Sequence, residues 1–522
     1  MSPSPREDGG ATSKRTKLTL FILFTVVTRL ALAFRPETQL TERLYQEDAF
    51  YALDVANHVA HGEGFSVDGV HPTNGVQPLI VLFYSACFRL AGNDKWLGVR
   101  LTFGLVALFE ALSVVLIFRL INELKWPEAT YSVDPAIVGA GLWAFVLSNL
   151  IHNAIGLETG LYAMMILLSS YLYARIIRRA DTNTVGIGSY AVLGIVLGLT
   201  VLARIDAVFL VGAMLVYDVF ARTSRPFGSR LLLATVAGIV AILVSSPWWI
   251  YNYTTFGSLM PISGQSESIG SMLTTNISFS STVLANICFV LFYVPTEFPP
   301  GPIATIVAFL VLGIVAMVKW RTSLVRKLSD LYVLPPITVL ALFSGLIVLY
   351  YTFVFSAPHF IGRYFHPVRV TALLTAALVV PMIVSYLKTA HTPVWKRYVL
   401  YLYVLVAIGF NATHYVYNFT IKETSPLYWA GVWAKEHPQY RLGMTSSGTA
   451  NFVSGSVVNL DGKVNFDALR ARHDGTMGKY IVKSGINVIL DMDRPSIDEA
   501  TREGAVFVPI DTFKNSIYYL KK

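Results

Sequence analysis

The sequence predicts an all-α polytopic membrane protein of about eleven transmembrane helices with interfacial helices beside them, ending in a small α/β domain outside the membrane. Three observations predict it. Of the 522 residues, 54% are hydrophobic and 14% charged, where a soluble chain carries about 25% charge. Mean hydropathy is +0.55, and the apolar residues fall in runs close to bilayer length. From about Asn418 the chain turns polar, and short β-type runs alternate with helix-like pieces. The chain therefore divides into a cytoplasmic tail (1–17), a membrane domain (18–411) whose first outer loop with its interfacial helices is 35–95, and an extracytoplasmic α/β domain (412–522).

The basic tail with Arg6, Lys14, Arg15 and Lys17 precedes an apolar run that no small-residue cleavage site follows, so the first span is expected to be retained. Spans are predicted at Leu18–Phe34, Trp96–Ile121, Pro135–Ile151, Leu157–Ile177, Val185–Leu202, Ala207–Phe220, Leu231–Tyr251, Ile303–Val318, Leu331–Phe353, Val368–Leu387 and Tyr398–Phe410. Two further runs, Leu79–Leu90 and Val283–Val294, are too short to cross about 30 Å of hydrocarbon at about 1.5 Å per residue. Charge decides how to treat them. With both kept on the outer side, Arg175/Arg178/Arg179, Arg222/Arg225/Arg230, Lys319/Arg321/Arg326/Lys327 and Lys388/Lys396/Arg397 all lie inside with the N-terminus. The expected setting is a plasma or inner membrane crossed several times, with the N-terminus cytoplasmic. The net charge of +9 thus reports topology, not nucleic-acid binding. Cys87 and Cys288 lie in apolar runs and suggest neither a disulfide framework nor a zinc site.

Past Asn418, RLGMT, VVNLD, NVILD, AVFVPI and SIYYLKK read as strands, and FDALRARH and TMGKYIVKSG as helical or glycine-rich connections. About 100 residues suffice for one modest core. The domain's expected role is support or acceptor recognition.

The stretch from Leu44 to Pro78 opens the first outer loop with adjacent carboxylates, Glu47 and Asp48. Read as a helix from Asp48 to His61, it puts Glu47, Tyr51, Asp54, His58 and His61 on one polar face and Asp48, Ala52, Val55 and Val59 on an apolar one. Such a helix is expected to lie on a membrane surface, apolar side down, with Asp48 aimed toward the membrane core. Glu158 and Asp206 also sit where loops meet helix ends on the outer side, as do Arg29, Arg100, Arg204, Arg363 and Arg369. Ionisable groups at membrane depth cost roughly 2.5–3.5 kcal/mol each, so several on one side point to a polar site. Singly, each fits an ion pair between helices or a snorkelling side chain.

This inventory suits transfer from a lipid-linked sugar phosphate. The leaving group is already anionic, arginine binds it bidentately, and no general acid is required, unlike glycoside hydrolysis. One base then takes the proton of the attacking hydroxyl. A half-buried carboxylate is expected to have a raised pKa and to be the stronger base for it.

HGEGFSVDGVHPTNGVQPL, IGLETGLYA, LARIDAVFL, GRYFHPVR and VVNLDGKVN, in this order and on this side, resemble the GT-C superfamily of integral-membrane glycosyltransferases. Its members include protein O-mannosyltransferases, lipid A aminoarabinose transferases and mycobacterial arabinofuranosyltransferases. The resemblance spans nearly the whole chain and implies an inverting enzyme. Its donor would be a polyprenyl-phosphate sugar and its acceptor a glycan, lipid or protein. It makes Asp48 the base, with Glu47 beside it where many relatives have Asp-Asp or Asp-Glu, and Glu158 the acid of the second outer loop. In some relatives that acid helps to hold a metal, so a divalent cation is the one cofactor the resemblance allows; the sequence itself names none. Arg204 and Arg363 are the first choices for the phosphate, then Arg100 and Arg369, with Asp206 beside Arg204. His71 and Asn74, in the HPTNG turn, are candidates for contacting the sugar or for shaping the turn. His58 and His61 with Glu63 could hold a metal but read first as surface residues. The competing readings are a lipid-linked sugar flippase or transporter, which would gather its polar groups near the bilayer midplane, and a non-catalytic relative that binds lipid carriers.

Overall fold

The computed structural model describes residues 6–41, 45–124, 132–180, 185–220, 225–267, 273–288, 334–355, 360–388, 425–514 and 516–522, with scattered positions between 394 and 420. Among these, six helices are long and apolar enough to cross a membrane: Ser13–Ala33, Lys95–Glu123, Thr159–Arg179, Phe227–Phe256, Pro335–Val354 and His366–Ser385. The expected span Ile303–Val318 and much of Tyr398–Phe410 lie outside the described residues. Expected spans Val185–Leu202 and Ala207–Phe220 are helices Ile187–Ala203 and Val208–Phe220, of 17 and 13 residues, joined through the Arg204–Ala207 turn. The expected span Pro135–Ile151 breaks at Val146 into Pro135–Phe145 and Leu147–Asn153. The Asn149 side chain donates to the freed Trp143 carbonyl at 3.4 Å, which offsets part of the lost helix bonding. Of the short run Val283–Val294, the part up to Cys288 ends a helix that starts earlier, Leu273–Cys288, and the remainder lies outside the described residues.

Two contacts show how the bundle closes. Ile187–Ala203 packs on Phe227–Phe256 at Gly194 and Gly198, where a Cβ would meet Ala237 O at 2.5 Å and Ala241 O at 2.7 Å. Small residues one turn apart let two backbones approach this closely. Arg29 pairs with Glu110 at 3.3 Å with both side chains fully buried. This arginine ties two helices together rather than joining the others at a site.

The two-sided helix runs Glu47–His61 and stops at left-handed Gly62 (φ 85°), where glycine carries no Cβ penalty. Its surroundings show what each face meets. Ala49 through Asn57 are all buried, because the apolar side packs on the helix Pro78–Ala91 and the polar side on Gly448–Ser454 of the C-terminal α/β unit. The Asn451 amide donates to Asp54 Oδ2 at 2.9 Å. Tyr51 Oη accepts from Ser447 N at 3.1 Å and from the Asn459 amide at 2.9 Å. Gly448 N donates to Glu47 Oε1. From Glu47 to Asp54 the polar stripe is an interface; His58 is half-buried and His61 exposed at the end of the helix.

In the C-terminal unit, β1 (Leu442–Met444), β2 (Val458–Asn459), β3 (Val488–Leu490), β4 (Phe507–Phe513) and β5 (Ser516–Lys521) form one sheet in the order β2-β1-β3-β5-β4. β1 pairs parallel with β2 and β3, while β5 runs antiparallel to β3 and β4. Each expected strand is present. One face packs Trp433, Met444 and Tyr518, the other Leu460, Ile481 and Ile497. The helices Pro426–Glu436, Gly448–Ser454 and Arg494–Arg502, absent from the sequence-based reading, complete the layers on the two faces.

The interface should respond to pH. Burial pushes the Asp54 carboxyl up to about 6, against the pull of Lys95 and Asn451. Burial does the same for Asp461, to about 6, against Lys463. Both exceed the ordinary 3.8, so the fold prefers the protonated forms. The stability they contribute is complete below the unfolded value and is lost as pH rises through about 6. Each accounts for on the order of 3 kcal/mol. We expect thermal stability of the purified protein to rise from pH 7 to pH 5, with Asp54→Asn flattening part of that rise. A melting temperature that falls over the interval would contradict it.

Candidate active site

At the end of the bundle that carries the α/β unit lies a cavity of about 430 Å³. Six separate chain segments supply its charged groups, Glu267 coming from the end of the helix Ile262–Glu267. Asp48 comes from the first turn of Glu47–His61, where a carboxylate suits the helix dipole. Glu158 comes from the loop before Thr159, and Arg204 and Asp206 from the turn between two helices. Arg363 comes from the short helix Ile361–Tyr364, and Lys463 from the loop after β2. Phe209, Trp249, Tyr351, Phe355, Phe360 and Tyr364 make the walls largely aromatic. Tyr351 stands in a π-helical turn, Tyr350–Val354, an irregularity that recurs at functional sites.

Local chemistry sets the geometry. Gln46 N donates to Ile155 O at 3.1 Å, which ties the loop of Glu158 to the start of the Asp48 helix. Between them Gly156 has φ +79°, and a Cβ there would meet the Tyr45 ring at 2.7 Å. Gly156→Val should therefore destabilise the fold by roughly 1–3 kcal/mol and, by shifting Glu158, reduce activity. A variant with wild-type melting temperature would count against this packing.

The cations differ in how firmly they are held. Arg204, only 3% exposed, pairs with Asp206 (3.0 Å) and Glu158 (3.6 Å). Tyr351 Oη donates to Asp206 Oδ2 at 2.7 Å, and the Arg204 guanidinium stands 4.7 Å from the Tyr364 ring centre. Arg363 Nη1 lies 3.5 Å from Asp48 Oδ2, and its buried Nε has no hydrogen-bond partner among the described residues. Lys463 Nζ reaches Glu267 (2.9 Å), Asp48 (3.3 Å) and Asp461 (3.9 Å), and sits 4.9 Å from the Phe360 ring centre. The Asp461-Gly462-Lys463 turn is shaped by Asp461 Oδ1 accepting from Lys463 N at 2.9 Å and by left-handed Gly462 (φ +83°).

Glu47 and Asp48 face different partners. Asp48 lines the cavity; Glu47 accepts from Gly448 N, outside it. Burial, then the Asp48 charge, pushes Glu47 well above the ordinary carboxylate range. Burial also favours neutral Asp48, but Lys463 and Arg363 outweigh it and hold Asp48 below its usual value. This reverses the expectation of a raised pKa, because nothing local in the chain signals that two cations meet this carboxylate.

Of the other sequence candidates, Asn74 is fully buried and ties the first outer loop to two helices: its amide donates to Asn252 Oδ1 of Phe227–Phe256 at 3.1 Å and its oxygen accepts from Ile262 N, at the start of Ile262–Glu267, at 3.0 Å. It positions the Pro261–Glu267 segment, which forms one wall. His71 pairs with Asp68 at 2.7 Å away from the cavity. Arg100 donates to the carbonyls of Ala33 and Arg35. Arg369, buried near His152 and His366, does not line the cavity. His58 pairs with Glu63, and His61 Nδ1 meets Asn57 O at 2.8 Å. Among the described residues no group of three or more His, Cys, Asp or Glu could hold a metal. Sequence reasoning missed Lys463 and Glu267. The DGK turn after a strand was the one available signal for Lys463, and nothing local pointed to Glu267.

Such a bundle, with a charged cavity at one end under an α/β unit, has the fold of the GT-C glycosyltransferases. Among solved structures, the oligosaccharyltransferase AglB of the archaeon Archaeoglobus fulgidus matches with TM-score 0.56 and 13% identity, over 92% of this chain and 69% of that one. ArnT from Cupriavidus metallidurans, solved with undecaprenyl phosphate, matches with TM-score 0.54 and 14% identity, over 96% of this chain and 97% of that one. AglB has also been solved with an inhibitory peptide and a dolichol-phosphate. At these identities the likeness is one of fold. No family model and no curated protein matches the sequence.

Proposed function

We propose that the chain is an inverting glycosyltransferase that moves a sugar from a polyprenyl-phosphate donor to a hydroxyl acceptor on the extracytoplasmic side of the membrane. The observation that carries this reading is the convergence of Asp48 with two cations it can exchange, Arg363 and Lys463, in one aromatic-walled cavity. The lipid phosphates bound by ArnT and AglB support the donor class.

The chemistry follows from the charges. Arg363 and Lys463 bind the donor phosphate, whose oxygens replace Asp48 as their partner; Arg204, fixed between Asp206 and Glu158, adds positive potential behind them. Glu158, paired with Arg204, orients the sugar at this wall. As the cations turn to the phosphate, their hold on Asp48 relaxes, and the buried carboxylate becomes a stronger base. The acceptor oxygen then attacks the anomeric carbon as the carbon–oxygen bond to phosphate breaks. Asp48 takes the acceptor proton, and the lipid phosphate leaves with the bonding electron pair. A single displacement inverts the anomeric centre.

In proteoliposomes carrying labelled polyprenyl-phosphate sugars, the protein should consume one donor and yield a glycoside of inverted configuration. Donor that crosses the bilayer without transfer would favour the flippase reading, and donor bound without either would favour a carrier-binding protein. Comparing lipid-linked sugars and envelope glycans between a deletion strain and its parent would identify the sugar.

A further inference from the structure

A second cavity, about 1160 Å³, opens on the far side of the segment that carries Lys463. Lys463 lines the catalytic cavity, while Val464 and Asn465 line this cleft. The partition is thin and tight: a Cβ on Gly75 would fall 1.8 Å from Lys463 O, so the first outer loop lies flush on the partition. We propose that this cleft binds a hydroxyl-rich oligosaccharide, the acceptor whose end is presented over the partition to Asp48. The acceptor role rests on the glycosyltransferase reading; the binding of glycan does not.

The lining argues for that class. Tyr440 and Tyr480 line the cleft, and aromatic rings are the side chains that pack on the C–H face of a sugar. The Tyr480 ring is held in place because its Oη accepts from the Asn465 amide at 2.9 Å, and the Asn465 side chain in turn caps the helix Phe466–His473. Around the rings stand charged groups of both signs. Asp68, Asp467 and Asp474 interleave with Arg441, Arg470, Lys479 and Lys483. Carboxylate and guanidinium groups bind pairs of vicinal hydroxyls, whereas a polyanion would call for one sign of charge. A peptide would need a sheet edge or apolar pockets. β2, the strand in this cleft, is only two residues long (Val458–Asn459), too short to template an added strand.

The rim is preformed. Asp68 accepts from the backbone of Val70 (3.0 Å) and His71 (2.8 Å) and from Ser66 Oγ (2.9 Å), and its second oxygen meets His71 Nδ1 at 2.7 Å. These bonds fix the imidazole at the mouth of the cleft before any ligand arrives, which lowers the ordering cost of binding. His71, a sequence candidate for sugar contact, thus stands at this cavity and not at the catalytic one.

The test is retention of the full-length protein, in lipid nanodiscs, on an array of defined neutral and acidic oligosaccharides of two to six sugars. A peptide array and anionic lipid vesicles serve as comparisons. We expect a subset of oligosaccharides to be bound by wild type and equally by Asp48→Asn. Binding should weaken at least tenfold in Asp467→Ala and in Lys479→Ala, both exposed positions that leave the fold intact, and in Tyr480→Ala. No oligosaccharide bound above the Tyr480→Ala level overturns the proposal. So does preferential capture of peptide or vesicle, or displacement of the glycan by polyprenyl phosphate alone. If Asp48→Asn still transfers sugar, the catalytic assignment fails while a glycan site at the cleft stands. If Asp48→Asn abolishes transfer and no glycan binds, the cleft alone fails.

Discussion

Asp48→Asn should lower kcat for sugar transfer by about a thousandfold, in the middle of the range for removal of a general base, while donor affinity changes little. Asparagine keeps the shape of the side chain and an oxygen that can accept from Arg363 and Lys463, the two groups within 3.5 Å of the carboxylate. It cannot take the acceptor proton. Glu47→Gln provides the contrast. Its carboxyl is turned to Gly448 N and favours the protonated state, since burial and the Asp48 charge push it up; its amide replacement should change kcat by less than about tenfold. The pair also separates the competing readings, because a flippase has no need of a proton acceptor at this position. Single-turnover transfer of labelled donor, with donor binding measured in parallel, reads both variants. Transfer by Asp48→Asn at wild-type rate would sink the assignment, and a larger loss in Glu47→Gln than in Asp48→Asn would exchange the roles of the two acids.

The adjacent acids also show what a sequence can and cannot disclose. Helical periodicity separated Glu47 from Asp48 by face, and the structure keeps that separation: one meets the α/β unit, the other the cavity. The five strands were readable because period-two apolar runs bounded by turn residues are a local signal. Periodicity identified a polar stripe of Glu47, Tyr51 and Asp54, but not what covers it. Its partners, Gly448, Ser447 and Asn451, lie some 400 residues away, and no pattern in either segment encodes that pairing. The same limit explains the pKa reversal at Asp48. Burial was foreseeable from the apolar face, whereas Lys463 arrives from a turn 415 residues further on. Arg29 and Arg100 failed as site residues for another reason. A lone arginine near a helix end reads identically whether it faces a cavity, a buried glutamate or two backbone carbonyls, and only packing distinguishes them.

Lys463→Met should weaken the donor interaction by roughly ten- to a hundredfold, the loss expected for one charge-assisted bond to a phosphate, and should move the acid limb of kcat/KM to higher pH. Methionine preserves the length of the stem beside Phe360, so the change is chiefly one of charge. The sign follows from the groups present. Burial favours the neutral Asp48 carboxyl, and Lys463 is the largest influence opposing it, ahead of Arg363. Without Lys463 the carboxyl titrates at a higher pH, so the fraction able to act as base is lost earlier on acidification. Asp461 and Glu267 lose the same cation, and of the cations that faced Asp48 Arg363 remains. Part of the protein's stability is lost as well, because acids that shared one lysine are left without it. Lys463→Arg restores the charge and should recover most of the donor affinity and the wild-type pH limb. A lysine that served only to dock the α/β unit would lower the melting temperature on substitution but leave the pH profile and donor KM of the folded fraction unchanged. That outcome would remove Lys463 from the site and leave phosphate recognition to Arg363 and Arg204.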